Sequence, residues 1–532
     1  MSDDALLIRS SSLMALGTIF SRATGLVRNL LLVAVLGTAL LGDVYNVANT
    51  MPNILYNLLI GGALTAVFVP QIIRASREND RGSAYISRLF TATSSGLLLI
   101  VVVATLLAPV LVHLYAPSFS GRSFDITVAF MRYCLPQIFF LGIFALLGQI
   151  ANARGVFGPM MWAPILNNLI AIALFTYFLT SVSDLSFTRI TDSQIRTLGL
   201  GTTLGIVAQA LILIPVLKRS GVSLRLRFDW RDAGLGKSLR LASWTFLFVL
   251  ISQIGYLITV NLATRTSVTA LAEGVTYGVG YTPYSNAYLI LLLPHSIITI
   301  SVVTALLPKL SEMAIDKRLV ELREQIVKAI KLVGIITVPS AFFFLFFGPL
   351  IAEVLFFGIS NDDARFIGKV LAAFGLAAIP LSLNLIAIRG LNAFENTKSQ
   401  VISNLLINGI SIALSLVAFF VLPTKWITVG LAGAFTLSYW FGSALTFRLL
   451  ARHSGVIPKS DYQKLYSLLS LVSLIIFIPL RLIVNADLIP GGNIVSLLVV
   501  IGIADLAFLG LAKLFKIEEV AQTTDGEVNF AA

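Results

Sequence analysis

Two arginines inside an apolar run are the residues of this sequence best placed to do chemistry. In FSRATGLVRNLLLVAVLG, residues 20–37, Arg22 and Arg28 interrupt what otherwise reads as most of a membrane-spanning helix. A guanidinium at the bilayer centre costs between about 3 and about 17 kcal/mol, depending on the scale, and intramembrane arginines generally face a bundle interior or water. Two uses are open. The side chains either snorkel to an interface and pair with carbonyls, or line a cationic cavity for an anionic ligand. Six residues apart, they sit about 9 Å apart along a helix and roughly 120° apart around it, so a wide cavity could see both. Gly25 between them permits a bend or a close helix contact.

A second constellation follows in MPNILYNLLIGGALTAVFVP, residues 51–70. Asn53, Tyr56 and Asn57 fall at i, i+3 and i+4 and share one helix face. Gly61 and Gly62 interrupt the helix one turn later. This polar face serves either a ligand or interhelical hydrogen bonding with tight packing. Arg132, Gln149, Asn167, Asn168, Gln209, Gln253, Asn286, His295, Asn404 and Asn408 also lie within apolar runs and read mainly as helix-to-helix contacts. Asp505, in GIADLAFLG, differs in carrying a charge, and either pairs with a cation or stays protonated. Enzyme signatures are poor. There is no HExxH, no P-loop, no CxxC and no paired-carboxylate motif that would hold Mg²⁺ against a diphosphate. Asp362 and Asp363 read as a solvated outer loop, and the single Cys134 excludes an internal disulfide and a multi-cysteine metal site. The expectation is a transporter without cofactor or metal, with no coupling ion named.

The elements that must position these groups are membrane helices. Of the 532 residues 57% are hydrophobic and 12% charged, with mean hydropathy +0.91, whereas a soluble domain carries about 25% charged residues. Apolar runs near span length recur throughout, without the alternation of an outer-membrane barrel. Fourteen helical spans are expected, near 12–37, 51–73, 89–115, 126–153, 159–181, 196–217, 238–263, 276–307, 329–351, 367–393, 399–422, 427–447, 465–484 and 492–515. No cleavable signal peptide is evident, so the first span is the insertion signal. With the N-terminus inside, 27 of the 38 Lys and Arg fall in inner segments and 8 in outer ones. That bias predicts cytoplasmic N- and C-termini. It also explains the net charge of +12 by basic loops against an anionic inner leaflet rather than by nucleic acid.

The chain repeats at an offset near 240. LNNLIAIAL at 166–174 matches LINGISIAL at 406–414 in six of nine positions, including Asn168 with Asn408, and ANAR at 151–154 faces LNAF at 391–394. ALTAVFVPQII at 63–73 resembles SVVTALLPKLS at 301–311. Six spans separate the partners, so the halves point the same way, as in a parallel repeat. The expected architecture is all-α: an N-lobe over 1–220 with six spans, a C-lobe over 221–455 with six more, and two extra spans with a short cytoplasmic tail over 456–532. Two such lobes would enclose a cavity and rock between inward- and outward-open states.

FSRATGLVRNLLLVAVLG followed by GDVYNVANTMPNILYNLLIGGALTAVFVPQI resembles the start of the MurJ/MviN lipid II flippases of the MOP exporter superfamily. The resemblance implies a bacterial cytoplasmic-membrane protein that moves undecaprenyl-diphosphate-linked peptidoglycan precursor from the inner to the outer leaflet. By it, Arg22 and Arg28 correspond to the family's cavity arginines and Asp43 to the acidic residue after the first helix. Arg22 and Arg28 would then meet the diphosphate, and Asn53, Tyr56 and Asn57 the sugar or peptide. Gly25, Asp43, Gly61 and Gly62 would support or gate the site. Lipid II and membrane lipids are the implied partners, with cell-wall synthesis machinery as the candidate protein partner. The sequence departs from the family where Tyr56 and Asn57 replace basic residues, where Gly61 replaces an acidic one, and where YSNAYLILLLP at 284–294 lacks an arginine. In these respects it resembles divergent actinobacterial members, some of which continue into a kinase-like domain, whereas this sequence stops soon after the last span. The family's sodium site does not carry over, because spans seven and eleven hold no carboxylate. The alternative is another exporter of the superfamily, for a polysaccharide-lipid or a drug. A drug exporter would more naturally place acidic groups in the cavity. A membrane transferase would need clustered carboxylates, and an envelope scaffold would need no polar cavity.

Overall fold

The computed structural model describes residues 3–58, 83–156, 158–182, 185–222, 224–229, 239–458 and 460–514. Among the described residues all regular structure is helical. The chain runs through α1 (Asp3–Leu36), α2 (Leu40–Tyr56), α3 (Ser83–Leu106), α4 (Ala108–Tyr115), α5 (Arg122–Cys134), α6 (Gln137–Ala153), α7 (Gly158–Ser181), α8 (Asp192–Leu211), α9 (Leu213–Arg219) and α10 (Leu239–Ala272). It continues through α11 (Tyr281–Pro294), α12 (Ile300–Ile315), α13 (Leu319–Leu355), α14 (Asn361–Gly375), α15 (Ala378–Ala393), α16 (Thr397–Val421), α17 (Thr424–Ser454), α18 (Ser460–Asn485) and α19 (Gly492–Leu514).

Ten of these stretches are long and apolar enough to cross a membrane, and the pair Asn361–Gly375 and Ala378–Ala393, bent by 48°, makes an eleventh. The difference from fourteen has local causes. Most of the second expected span lies outside the described residues. The twelfth falls on α17, a 31-residue helix rich in Thr, Ser and Gly. The fourteenth is a shorter apolar stretch, Gly492–Phe508.

The chain forms two compact units, Met1–Ala272 and Glu273–Ala532. In the first, α1 lies along α7, α7 along α8, α2 against α5, and α3 against α6. The seventh span, α10, packs here too, against α2 and α4. The compact unit therefore ends after Ala272, whereas the sequence repeat divides the lobes after residue 220. In the second unit α13 packs most extensively on α14, α16 on α17, and α15 on α17. The C-terminal pair is fastened to α13 at both of its ends. Tyr466 on α18 donates from Oη to the Ile330 carbonyl (3.0 Å), with its ring over Gly334, where a Cβ would leave no room. At the other end Asn493 Nδ2 donates to Glu353 Oε2 (2.8 Å), and Arg365 of α14 pairs with the same carboxylate.

A local feature matches between the two halves. After Tyr56 the helix loosens into a π turn at Asn57 and Leu58, and after Pro294 it does the same over His295–Thr299. The offset between the two starts, Asn57 to His295, is the one relating ALTAVFVPQII to SVVTALLPKLS. π turns cost hydrogen-bond geometry and are frequent at functional sites.

Candidate functional site

α1 is continuous through both arginines. Its face toward α7 is built from small and polar residues at helical spacing: Gly17, Ser21, Thr24, Gly25 and Arg28. Gly17 lies against the Trp162 indole, so that a Cβ there would come within 2.8 Å of Nε1. Farther along, Asn168 Nδ2 donates both to the Ser21 carbonyl and to Thr24 Oγ1, each at 3.0 Å. Thr24 Oγ1 passes its own proton to the Phe20 carbonyl (2.8 Å). A Cβ on Gly25 would stand 3.5 Å from Asn168 Nδ2, an ordinary contact, so this glycine relieves no clash. The amide that marks the sequence repeat therefore clamps the stretch of α1 that lies between the arginines.

Arg22 projects from the adjacent face and is exposed, while Arg28 is half-buried. Among the described residues neither guanidinium has a carboxylate within ion-pair distance. The acidic residue that follows, Asp43, is fully buried in the first turn of α2. There its charge is favoured by the helix N-terminus. It also has a polar partner of its own.

α2 carries the second set. Gly37, at φ 70°, turns the chain between α1 and α2. Arg22 lies fourteen residues back from Leu36 and Asn53 thirteen on from Leu40, so both are about 20 Å of helix from that turn. Arg22 and Asn53 therefore lie at similar distances along their helices from the turn. Asn53 and Asn57 are exposed and Tyr56 is half-buried. The anchor for this face is Asn49, one turn before Asn53. Its Oδ1 accepts from buried Gln137 Nε2 (3.3 Å), which also donates to Thr203 Oγ1 (3.1 Å). Thr203 in turn donates to the Tyr133 carbonyl (2.8 Å). Gly61 and Gly62 lie outside the described residues.

Sequence reasoning did not single out Gln137, Asn49 or Thr203. Nor did it anticipate the hydroxyls that occupy the other buried amides and the buried histidine. In the second unit Thr299 Oγ1 donates to Ser382 Oγ (3.0 Å), which lies 2.9 Å from His295 Nδ1. Thr446 Oγ1 donates to Asn384 Oδ1 (2.6 Å) and is hydrogen-bonded to Ser403. Pro136 immediately before Gln137 was the available signal, since it marks a helix break at a buried amide. Asp505 projects from α19 as an exposed residue. Among the described residues no group of three or more His, Cys, Asp or Glu is disposed to hold a metal.

Among the described residues the first helix carries two arginines without a carboxylate partner, and solved structures share the all-helical fold. A structure titled "Lipid II flippase MurJ, inward closed conformation" superposes with TM-score 0.76 at 20% identity, over 96% of this chain and 99% of that one. An inward-facing multidrug MATE transporter of the MOP superfamily follows at TM-score 0.62 and 14% identity, over 81% and 95%. The chain belongs to the family "Lipid II flippase MurJ", whose model matches residues 32–501. Among its relatives, a Haemophilus influenzae protein described as "Probable lipid II flippase MurJ" is 25% identical over 455 residues, 82% of this chain and 84% of its own length. A Rhizobium tropici protein with the same description is 27% identical over 448 residues, 83% and 80% of the two chains.

Proposed function

We propose that this protein is a lipid II flippase, carrying undecaprenyl-diphosphate-linked disaccharide-peptide from the inner to the outer leaflet of the bacterial cytoplasmic membrane by alternating access. The observation that carries the reading is the pair Arg22 and Arg28, held at membrane depth without carboxylate partners among the described residues, in a chain of this family. A guanidinium fork binds phosphate oxygens with two parallel charge-assisted hydrogen bonds. Asn53, Tyr56 and Asn57, as far along α2 from the turn as Arg22 is along α1 or farther, offer amide and phenol groups to sugar and peptide. Asp43 supports the turn that sets both helices in register. The proposed activity is translocation of the substrate without cleaving it, as befits a flippase family. Membrane lipids surround it, and cell-wall synthesis proteins are its candidate protein partners. Depletion in the native host tests the assignment. Lipid II should accumulate in the inner leaflet, protected from an externally added lipid II-cleaving toxin, within one or two doublings. Unchanged access of the toxin to lipid II would remove the flippase reading.

The proposed topology has fourteen spans, two six-helix lobes and the additional α18–α19 pair, with both termini cytoplasmic. It is supported by the bias of 27 to 8 in basic residues. Cys134 is the one native thiol and is buried, so a Cys134→Ala background allows single-site labelling. Ser220→Cys should be silent to an impermeant maleimide in intact cells and react after permeabilisation, and Ser360→Cys should react in both. Labelling of both sites in intact cells would overturn the topology and, with it, the parallel repeat.

A further inference from the structure

Between α9 and α10 the segment 224–229 has no helical structure and is fastened along the first turns of α3. The Arg225 amide donates to Ser87 Oγ (3.4 Å) and the Arg227 amide to Thr91 Oγ1 (2.8 Å). Two residues of extended chain advance about 6.7 Å and four residues of helix about 6 Å, so alternate amides of the strap meet successive turns of α3. Asp229 closes the attachment. Its Oδ2 accepts from Arg88 Nε (2.9 Å) and Nη2 (2.8 Å). The hydrogen bond from Arg88 holds the Asp229 carboxyl below the usual carboxylate range, so the tether stays charged at neutral pH.

This attachment is made through backbone amides and Asp229, and it leaves the side chains of residues 225–228 exposed. Leu226 and Phe228 are 67% and 69% exposed. Arg225 and Arg227 are exposed, and among the described residues neither has a carboxylate at ion-pair distance. Ser87 and Thr91 lie about 6 and 12 Å into α3 from its start at Ser83. The strap therefore sits where polar chain gives way to the apolar span Ser83–Leu106. Exposed Leu and Phe on a non-helical segment between arginines suit neither bulk water nor hydrocarbon. They suit the boundary, with apolar side chains among acyl carbons and cations at headgroup phosphates.

We propose that the strap 224–229 is a binding site for anionic phospholipid of the inner leaflet, with Arg225 and Arg227 on the lipid phosphate and Leu226 and Phe228 in the acyl boundary. The leaflet assignment rests on the proposed topology; the lipid chemistry does not. Charge complementarity selects the occupant. Each arginine near an anionic surface favours it by about fivefold, so phosphatidylglycerol should outcompete phosphatidylcholine here by about 25-fold at low salt. The preference should shrink as the Debye length falls with added salt.

The test places an environment-sensitive fluorophore at Phe228→Cys in full-length Cys134→Ala protein, reconstituted in phosphatidylcholine vesicles. Emission should be blue-shifted, and doxyl-phosphatidylglycerol should quench it at far lower mole fraction than doxyl-phosphatidylcholine. Arg225→Gln with Arg227→Gln should abolish that difference while leaving the blue shift. Water-like emission with no quenching by either lipid would overturn the proposal. So would equal quenching by both lipids, or an anionic preference that survives the double substitution. Displacement of doxyl-phosphatidylglycerol by equimolar undecaprenyl diphosphate would also overturn it, by making the strap a substrate-loading site. The two leaflets of these vesicles are alike, so the outcome is independent of orientation, which labelling at Ser220→Cys decides separately.

Discussion

Alanine at both Arg22 and Arg28 should abolish complementation of a flippase-depleted host, while the protein still inserts and accumulates. The two effects separate because of where the side chains lie. Arg22 is exposed on α1, and Arg28 is half-buried at the end of the stripe that faces α7. The hydrogen bonds that dock α1 on α7 come from Asn168 to the Ser21 carbonyl and to Thr24. They involve neither arginine, so the double substitution removes charge without removing the clamp. A charge-assisted hydrogen bond contributes about 1.5–3 kcal/mol, so each arginine lost should weaken lipid II binding by about 10- to 150-fold. Lysine at either position should restore only part of the activity, because a point charge cannot reproduce the planar two-pronged fork. Arg28→Met is the control for packing. It keeps an unbranched apolar stem without the guanidinium and should insert as well as wild type while failing to complement. Binding of lipid II to purified variants checks the magnitude, and growth checks the function. Wild-type growth and flipping by the double-alanine variant would show that the diphosphate is held elsewhere.

The parts of this protein most legible in the sequence are those written in apolar length and in rare charges. Helices stand where runs of about 20 apolar residues stand, and the arginines that break the first run lie within a helix long and apolar enough to cross a membrane. The repeat marker Asn168 has a visible purpose in the structure, as the clamp on α1. Its counterpart Asn408 instead turns to Asn404 one turn back, donating to its carbonyl and its Oδ1 (both 2.9 Å). A shared letter at a repeat position therefore does not imply a shared contact. Hydroxyls were the blind spot. Thr203, Ser382, Thr446 and Ser403 complete buried networks, yet in an apolar alphabet Ser and Thr read as small packing residues. Only geometry distinguishes a hydroxyl that satisfies its own i−4 carbonyl from one that reaches another helix. The compact-unit boundary was hidden for a different reason. Repeats are a property of sequence, whereas compact units follow packing, and α10 packs on α2 and α4. Exact span counts suffer from helices such as α17, whose Thr, Ser and Gly lower its apolarity although it runs for 31 residues.

The largest effect on folding should come from one methyl group at Gly368. α13 and α14 form the most extensive helix pair in the second unit, and their crossing is made by backbone meeting backbone. A Cβ on Gly368 would fall on Pro349 Cα and the Gly348 carbonyl, and one on Gly348 would fall on the Gly368 carbonyl. Two turns on, a Cβ at Gly375 would come within 2.8 Å of the Ala341 carbonyl and 2.9 Å of the Leu345 amide. Small residues let membrane helices approach this closely because packing, rather than hydrophobic exclusion, drives their association. None of the obstructing atoms belongs to a flexible side chain, so no rotamer change can relieve the clash. Gly368→Ala should cost about 1–3 kcal/mol through overpacking, seen as a lower melting temperature in detergent. Gly368→Leu should prevent accumulation of folded protein. Gly409 on α16 is the contrasting site, since a Cβ there meets nothing within 4 Å. Its replacement by alanine relieves the helix of a glycine's backbone entropy, worth about 1 kcal/mol. The same substitution should therefore lower the melting temperature at 368 and hold or raise it at 409. Equal effects at both positions would mean that α13 and α14 do not meet through their backbones, and that the close crossing is not what holds this unit together.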